Sequence, residues 1–350
     1  MRLPVLNTFS AICLFFVILN HSSRMYSFLL TNSGFSNWQV LDVEVVTFII
    51  HQGGRFAIPF FFLTVGFYYG KALQRGAHPF TFLILYGRKL LYVFFSWSLI
   101  YAFIKPTFMY KFKYYGILNS IYEQLKITCY WAINNKLDFI RTGTEPHLWF
   151  IVACLMGLAI TSFFCKYRID RFLIPFGVGL YLIGLLGGSY SKLPIGLSFP
   201  FKTPNPLFST IFIAVGRWFS IHHEKNKRLA LSLFFSGALM HFAEIFYLKR
   251  MYNMYPNQDF LLGTMIWGIG AFLLCLEYPN AGQNSILERM GMLTLGIYVS
   301  HPLIIYALLP VFVYVTSIFW EILISVFVLL LCYGFCQGLI RNRISAKFLT

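Results

Sequence analysis

The chain has 350 residues, of which 58% are hydrophobic and only 11% charged, and its mean hydropathy is +0.68. A soluble domain carries about 25% charged residues, so the composition excludes an ordinary globular protein and indicates a polytopic membrane protein. The net charge of +16 is scattered over many short connections and forms no single basic stripe, which argues against nucleic acid as a partner.

A helix needs about 20 predominantly apolar residues to cross a bilayer, with a range of about 17–25. On that measure the apolar runs predict an all-α protein of about ten transmembrane helices, at residues 3–21, 56–73, 90–104, 147–165, 172–188, 207–221, 229–248, 260–276, 290–308 and 311–339. The first run follows Arg2 and resembles a signal peptide, but no small-residue cleavage site follows and many spans come after, so it reads as the first span. Lys71, Arg75, Arg88 and Lys89 flank the short connection between spans two and three. Residues 105–146 hold too many charges to cross and read as a long interfacial segment, with a surface-lying helix at 117–131 in contact with membrane lipids. The remaining domain is a single transmembrane unit, 1–340, closed by a short basic tail, 341–350.

An even number of spans puts both termini on one side. The positive-inside rule makes that side cytoplasmic, because the short connections on it carry most of the Lys and Arg. The long basic segment 105–146 then falls outside, against the trend. Seven cysteines form no framework, and Cys332 and Cys336, one helical turn apart, have no His or Asp beside them to complete a metal site. They read as small buried hydrophobes, and no metal is expected.

This orientation brings several polar groups to one membrane level. His21 closes span one, Arg55 opens span two, His147 opens span four, and His301 lies near the outer end of span nine with Tyr298 one turn away on the same face. Ionisable groups at span ends are functional candidates; a general base, an oxyanion stabiliser and a sugar-binding rim can be built from such a set. The plain alternative for any one of them is a wet helix end. On the other side, Arg88 and Lys89, with Arg75 nearby, suit a phosphorylated cytosolic ligand, or equally anionic lipid and topology.

Four segments carry a family resemblance: ICLFFVILNH in span one, GRFAIPFFFLTVGFYYG in span two, PHLWFI opening span four, and LTLGIYVSHPLIIY in span nine. In this order they resemble the acyltransferase-3 family of bacterial integral-membrane O-acyltransferases, which modify sugars of surface polysaccharides. The resemblance implies His21 as the catalytic histidine. It implies Arg55, His147, Trp149, Tyr298 and His301 as substrate-binding residues, and Arg75, Arg88 and Lys89 on the acyl-CoA side. The sequence departs from the family pattern at Ser10, where the family has Arg or Lys, and at Asn7, where it has Asp. Val65 precedes Gly66 in place of Ser, and no Glu follows Trp149 where some branches have one. The missing base at Ser10 suits another donor, another way of fixing the donor, or lost transfer.

The leading expectation is an inner-membrane enzyme. It would move an acyl group, most simply acetyl from acetyl-CoA, to a hydroxyl of a lipid-linked or surface glycan such as O-antigen. His21 would act as general base or transient acyl carrier, with no resident cofactor. Two alternatives stand beside it. One is a polyprenyl-phosphate-sugar glycosyltransferase using Asp42 and Glu44; the other is a non-enzymatic glycan exporter on the same scaffold.

Overall fold

The computed structural model describes residues 3–32, 48–49, 52–198, 205–254, 258–312 and 318–342. Among them there is no strand. Ten apolar helices coincide with the ten predicted runs: α1 (Pro4–Asn32), α2 (Ala57–Gln74), α3 (Pro79–Phe103), α6 (Trp149–Lys166), α7 (Leu173–Leu186), α8 (Asn205–His222), α9 (Lys227–Tyr252), α10 (Leu262–Glu277), α12 (Thr294–Phe312) and α13 (Ile318–Ile340). Two more, α4 (Pro106–Asn134) and α5 (Lys136–Thr142), fill the long polar segment, and the short α11 (Ile286–Gly291) precedes α12. Five helical stretches among the described residues are long and apolar enough to cross a membrane: Pro4–Ser22, Pro79–Phe103, Pro146–Lys166, Lys227–Tyr252 and Trp320–Ile340.

Several boundaries differ from the sequence reading. The third apolar helix begins at Pro79, not at residue 90, because proline is pre-organised for the first turn of a helix. Arg88 and Lys89 are therefore interior to α3 and do not mark its start. The helix tolerates them because Arg88 is exposed and Lys89 half-buried. The first helix runs on past His21 to Asn32, so His21 marks the end of the apolar stretch and not of the helix. The interfacial helix predicted at 117–131 is longer. It starts at Pro106, after an extended Lys105, as expected for a residue preceding proline. It kinks at Gly116, whose φ of 72° suits glycine alone. Asp42 and Glu44 lie outside the described residues.

The chain forms two compact units. The first comprises Met1–Val17, Glu44–Gly87 and Ala153–Thr294; the second comprises Ile18–Val43, Arg88–Val152 and Leu295–Thr350.

In the first unit the helices approach closely through glycines, as membrane helices do in the absence of a hydrophobic drive between them. A Cβ on Gly66 of α2 would lie 2.1 Å from the Ile213 carbonyl oxygen of α8, and one on Gly216 of α8 would lie 2.1 Å from that of Leu63 in α2. Helices α9 and α10 meet similarly at Gly237, Gly263 and Gly270. A buried polar set holds the start of α10. Glu244 accepts from the Tyr190 hydroxyl at 2.5 Å and the Gly263 N–H at 2.8 Å. His241, fully buried, bonds Thr264 at 2.8 Å and Gln52 at 3.0 Å.

The second unit contains α4, α5, α13 and the second-unit portions of α1, α3, α6 and α12. Its core holds the large rings of Trp97 and Tyr101. Gly143, at φ 60°, ends α5 directly against Ser98. That close approach starts the turn that carries His147.

Candidate active site

The second unit assembles three imidazoles from three separate segments. The rings of His21 on α1 and His301 on α12 are 5.0 Å apart between centroids, and those of His301 and His147 are 5.3 Å apart. His147 is 4% exposed and His301 fully buried. Neither ring nitrogen of His147, nor Nε2 of His301, makes a hydrogen bond within the unit. Buried polar atoms are nearly always paired, so three bare imidazole nitrogens in one cluster mark a place where a further polar group is accommodated.

His147 is held by its backbone. Pro146 opens a single 3-10 turn, Pro146–Leu148, that feeds directly into α6. The Tyr298 hydroxyl donates to the His147 carbonyl. Upstream, the Thr144 hydroxyl donates to the Ser98 carbonyl at 2.5 Å. Lys105 donates to the Thr144 carbonyl and forms an ion pair with Glu145. The other Glu145 oxygen accepts from the Tyr306 hydroxyl at 2.6 Å. Glu145 is 7% exposed, so its charge is satisfied from two sides in a nearly dry setting.

His301 is held by its own helix and by α3. Its Nδ1 lies 2.5 Å from the Tyr298 carbonyl oxygen. A carbonyl only accepts, so Nδ1 carries the proton and Nε2 is the bare lone pair. One rung further on, the Tyr101 hydroxyl donates to the Val299 carbonyl at 2.7 Å and receives the Leu303 N–H at 3.2 Å. The Tyr101 ring packs edge-on to His147 at 5.2 Å. Tyr298 is itself buried and packs against both His147 and His301 at 5.7 Å.

The other sequence candidates are placed as follows. Trp149 is the first residue of α6, half-buried, next to the Phe150 ring. Arg88 and Lys89 belong to the second unit, on α3. Arg75 and Arg55 belong to the first. Arg75 is exposed at the end of α2, and Arg55 pairs with Asp259 at 2.5 Å. Ser10, in the first unit, is buried and donates to the Leu6 carbonyl of its own helix at 2.7 Å. No group of three or more His, Cys, Asp or Glu side chains among the described residues is arranged to hold a metal ion.

Sequence reasoning missed Tyr101, Glu145, Lys105 and Tyr306 as supports of the cluster, and His241 as a buried polar centre. The signal for His241 was an ionisable residue, with Glu244 three residues on, inside an apolar run. For Glu145 it was its place two residues before His147.

Residues 6–337 match the model of the acyltransferase-3 family, described as an acyltransferase domain. An amino-acid racemase of Enterococcus faecalis is 29% identical over 140 residues, covering 38% of this chain and 16% of the relative. A second alignment to an amino-acid racemase of the same organism is 23% identical over 279 residues, covering 75% of this chain and 36% of the relative. The matches thus cover about a sixth of the length of one curated relative and little more than a third of the other. No solved structure matches. With nearly its whole length matched by the family model, the chain belongs to the acyltransferase-3 family.

Proposed function

We propose that this protein is a membrane O-acyltransferase that moves an acyl group, most simply acetyl from acetyl-CoA, to a sugar hydroxyl of a lipid-linked or surface polysaccharide such as O-antigen in the bacterial inner membrane. The observation that carries the reading is the close grouping of His21, His147 and His301, with unpaired ring nitrogens on the latter two. Family membership supplies the reaction class.

An acyl thioester is already activated, so the chemistry requires mainly a base for the incoming hydroxyl. His21 takes the proton of the sugar hydroxyl while its oxygen attacks the thioester carbonyl. The C–S bond breaks, and the departing CoA thiolate takes up the proton held by His21, which returns to its neutral form. In a two-step variant His21 itself carries the acyl group between donor and acceptor. Buried donors around the carbonyl stabilise the oxyanion that develops. His147, Trp149, Tyr298 and His301 serve the acceptor and the transition-state charge. Arg88 and Lys89 serve the phosphates of the donor, where cationic side chains are the natural partners.

The test is mass spectrometry of surface glycan from cells carrying wild-type protein, His21→Ala, or the double variant Asp42→Ala/Glu44→Ala. An acyl mass that disappears in His21→Ala and persists in the acidic double variant supports the reading. A hexose lost only in the acidic variant replaces it with glycosyl transfer. No mass change in any strain, with an altered amount of exported glycan, replaces it with export.

A further inference from the structure

A proline inside an α-helix removes one rung of the hydrogen-bond ladder, because its nitrogen has no proton to give to the carbonyl four residues earlier. In α12 that proline is Pro302, and the carbonyl left without its donor is that of Tyr298. This is the carbonyl that receives the Nδ1 proton of His301, at 2.5 Å. The next rung, between Val299 and Leu303, is bridged by the Tyr101 hydroxyl, which bonds both groups. One carbonyl of the helix thus lacks a backbone donor, and the side chain of the residue just before the proline supplies one.

The arrangement has a chemical consequence. A neutral imidazole has one donor and one acceptor nitrogen, and which is which follows from the bond the other nitrogen makes. With its Nδ1 proton committed to Tyr298, His301 presents Nε2 as a lone pair. That atom is fully buried and has no hydrogen-bond partner within the unit. The imidazoles of His21 and His147 are its ring neighbours.

We propose that Pro302 is a positioning residue: by leaving the Tyr298 carbonyl without a backbone donor, it fixes His301 in the Nδ1–H tautomer and so makes Nε2 the proton-accepting atom that His301 offers to the histidine cluster. The catalytic part of this inference rests on the acyl-transfer reading; the tautomer part does not. Alanine at position 302 restores a backbone N–H, which competes with the imidazole for the Tyr298 carbonyl. It is also a far better helix former than proline. Pro302→Ala therefore gives a helix that is at least as stable and a histidine that is less well fixed. A merely structural proline would behave differently.

The experiment uses full-length protein in lipid nanodiscs with 15N-labelled histidine. The His301 ring signals are identified by their loss in His301→Gln, and acetyl transfer from acetyl-CoA to glycan is followed on the same samples across pH. The wild-type protein is expected to show His301 protonated at Nδ1 and unprotonated at Nε2. Pro302→Ala is expected to show both tautomers. Its kcat should fall roughly tenfold to hundredfold, less than the roughly 10²–10⁴-fold of a lost acid–base group because the imidazole itself remains, with an unchanged KM for acetyl-CoA and a displaced pH profile. An Nε2–H tautomer in the wild-type protein, or a Pro302→Ala protein with wild-type tautomer and pH profile, overturns the proposal. A wild-type protein that has the Nδ1–H tautomer but transfers no acetyl group leaves the tautomer assignment standing and removes the acyl-transfer reading.

Discussion

The rings of His21 and His301 stand 5.0 Å apart, although one comes from the first apolar helix and the other from the penultimate one. Two imidazoles at this spacing can serve one substrate together, one as proton acceptor and one as hydrogen-bond partner. His21→Ala and His301→Ala are therefore each expected to lower acyl transfer by about 10²–10⁴-fold, the usual range for a positioned acid–base group. The double variant should be scarcely worse than either single variant, because groups that act as a unit are not additive. Rate measurements on the two single variants and the double variant check this. Losses that multiply would show that the two residues act independently.

The Tyr101 hydroxyl connects α3 to the Val299 carbonyl and Leu303 N–H of α12, and its ring backs His147. Tyr101→Phe keeps the ring and removes only the two hydrogen bonds. The Leu303 N–H and Val299 carbonyl stand four residues apart in one helix and can satisfy each other, so the loss of stability should be small, about 1 kcal/mol. Catalysis should suffer more than stability. A thermal melt in detergent alongside a kcat measurement separates the two, and a Tyr101→Phe protein with wild-type kcat would show the bridge to be a packing feature only.

The all-α class and the apolar helices were legible because long apolar runs have few alternative explanations. His21 and His147 were legible for a related reason, since each sits where an apolar run begins or ends, and His301 was legible from its place in LTLGIYVSHPLIIY. Their supports were not. Lys105 and Glu145 lie in a segment rich in charge and aromatic residues, and nothing local says that these two charges find each other across α4 and α5. Tyr101 and Tyr306 looked like two of the 22 tyrosines of the chain. The start of α3 was missed because Arg88 and Lys89 interrupt the hydropathy signal that the backbone ignores.

The Lys105–Glu145 pair makes a stability prediction. Glu145 is nearly dry, and Lys105 keeps 22% of its side chain exposed. Breaking a buried pair from one side leaves the other charge uncompensated and costs about 3–5 kcal/mol. Lys105→Met should thus destabilise the protein strongly, since the Glu145 carboxylate retains only Tyr306. Replacing both residues, Lys105→Met with Glu145→Leu, should recover much of the loss. Melting temperatures of the single and double variants decide the matter; a double variant worse than Lys105→Met would show that Glu145 serves His147 through Tyr306 and the turn, not merely through its charge.

Gly66 sits at a close backbone contact of the first unit. An added Cβ would meet backbone, the Ile213 carbonyl carbon and oxygen, not the tip of a movable side chain. Gly66→Ala must therefore push α2 and α8 apart, at about 1–3 kcal/mol for overpacking. In the related glycine contact Gly157 meets the Ser209 side chain, which can turn away. Gly157→Ala should then cost less, and comparing the two melting temperatures tests whether backbone contact is what matters.

Helix α4 is arranged inside out beyond its kink. Ser120 and Gln124 are buried, and the Thr128 hydroxyl donates to the Ala102 carbonyl. The large side chains of Leu118, Tyr122, Tyr130 and Ile133 are 64–77% exposed. A soluble protein would not choose this pattern, whereas a helix lying at the hydrocarbon boundary would. Cys129 lies on the outward side and is the one exposed cysteine among the described residues, which makes it a ready site for a spin label. In nanodiscs a nitroxide at Cys129 should collide more often with dissolved oxygen, which partitions into lipid, than with a charged nickel chelate, which stays in water. Substituting Ile133→Lys should reverse that order by drawing the helix toward water. A label at Cys129 that already favours the nickel chelate in the unsubstituted protein would place α4 off the membrane and assign its apolar face to a different neighbour.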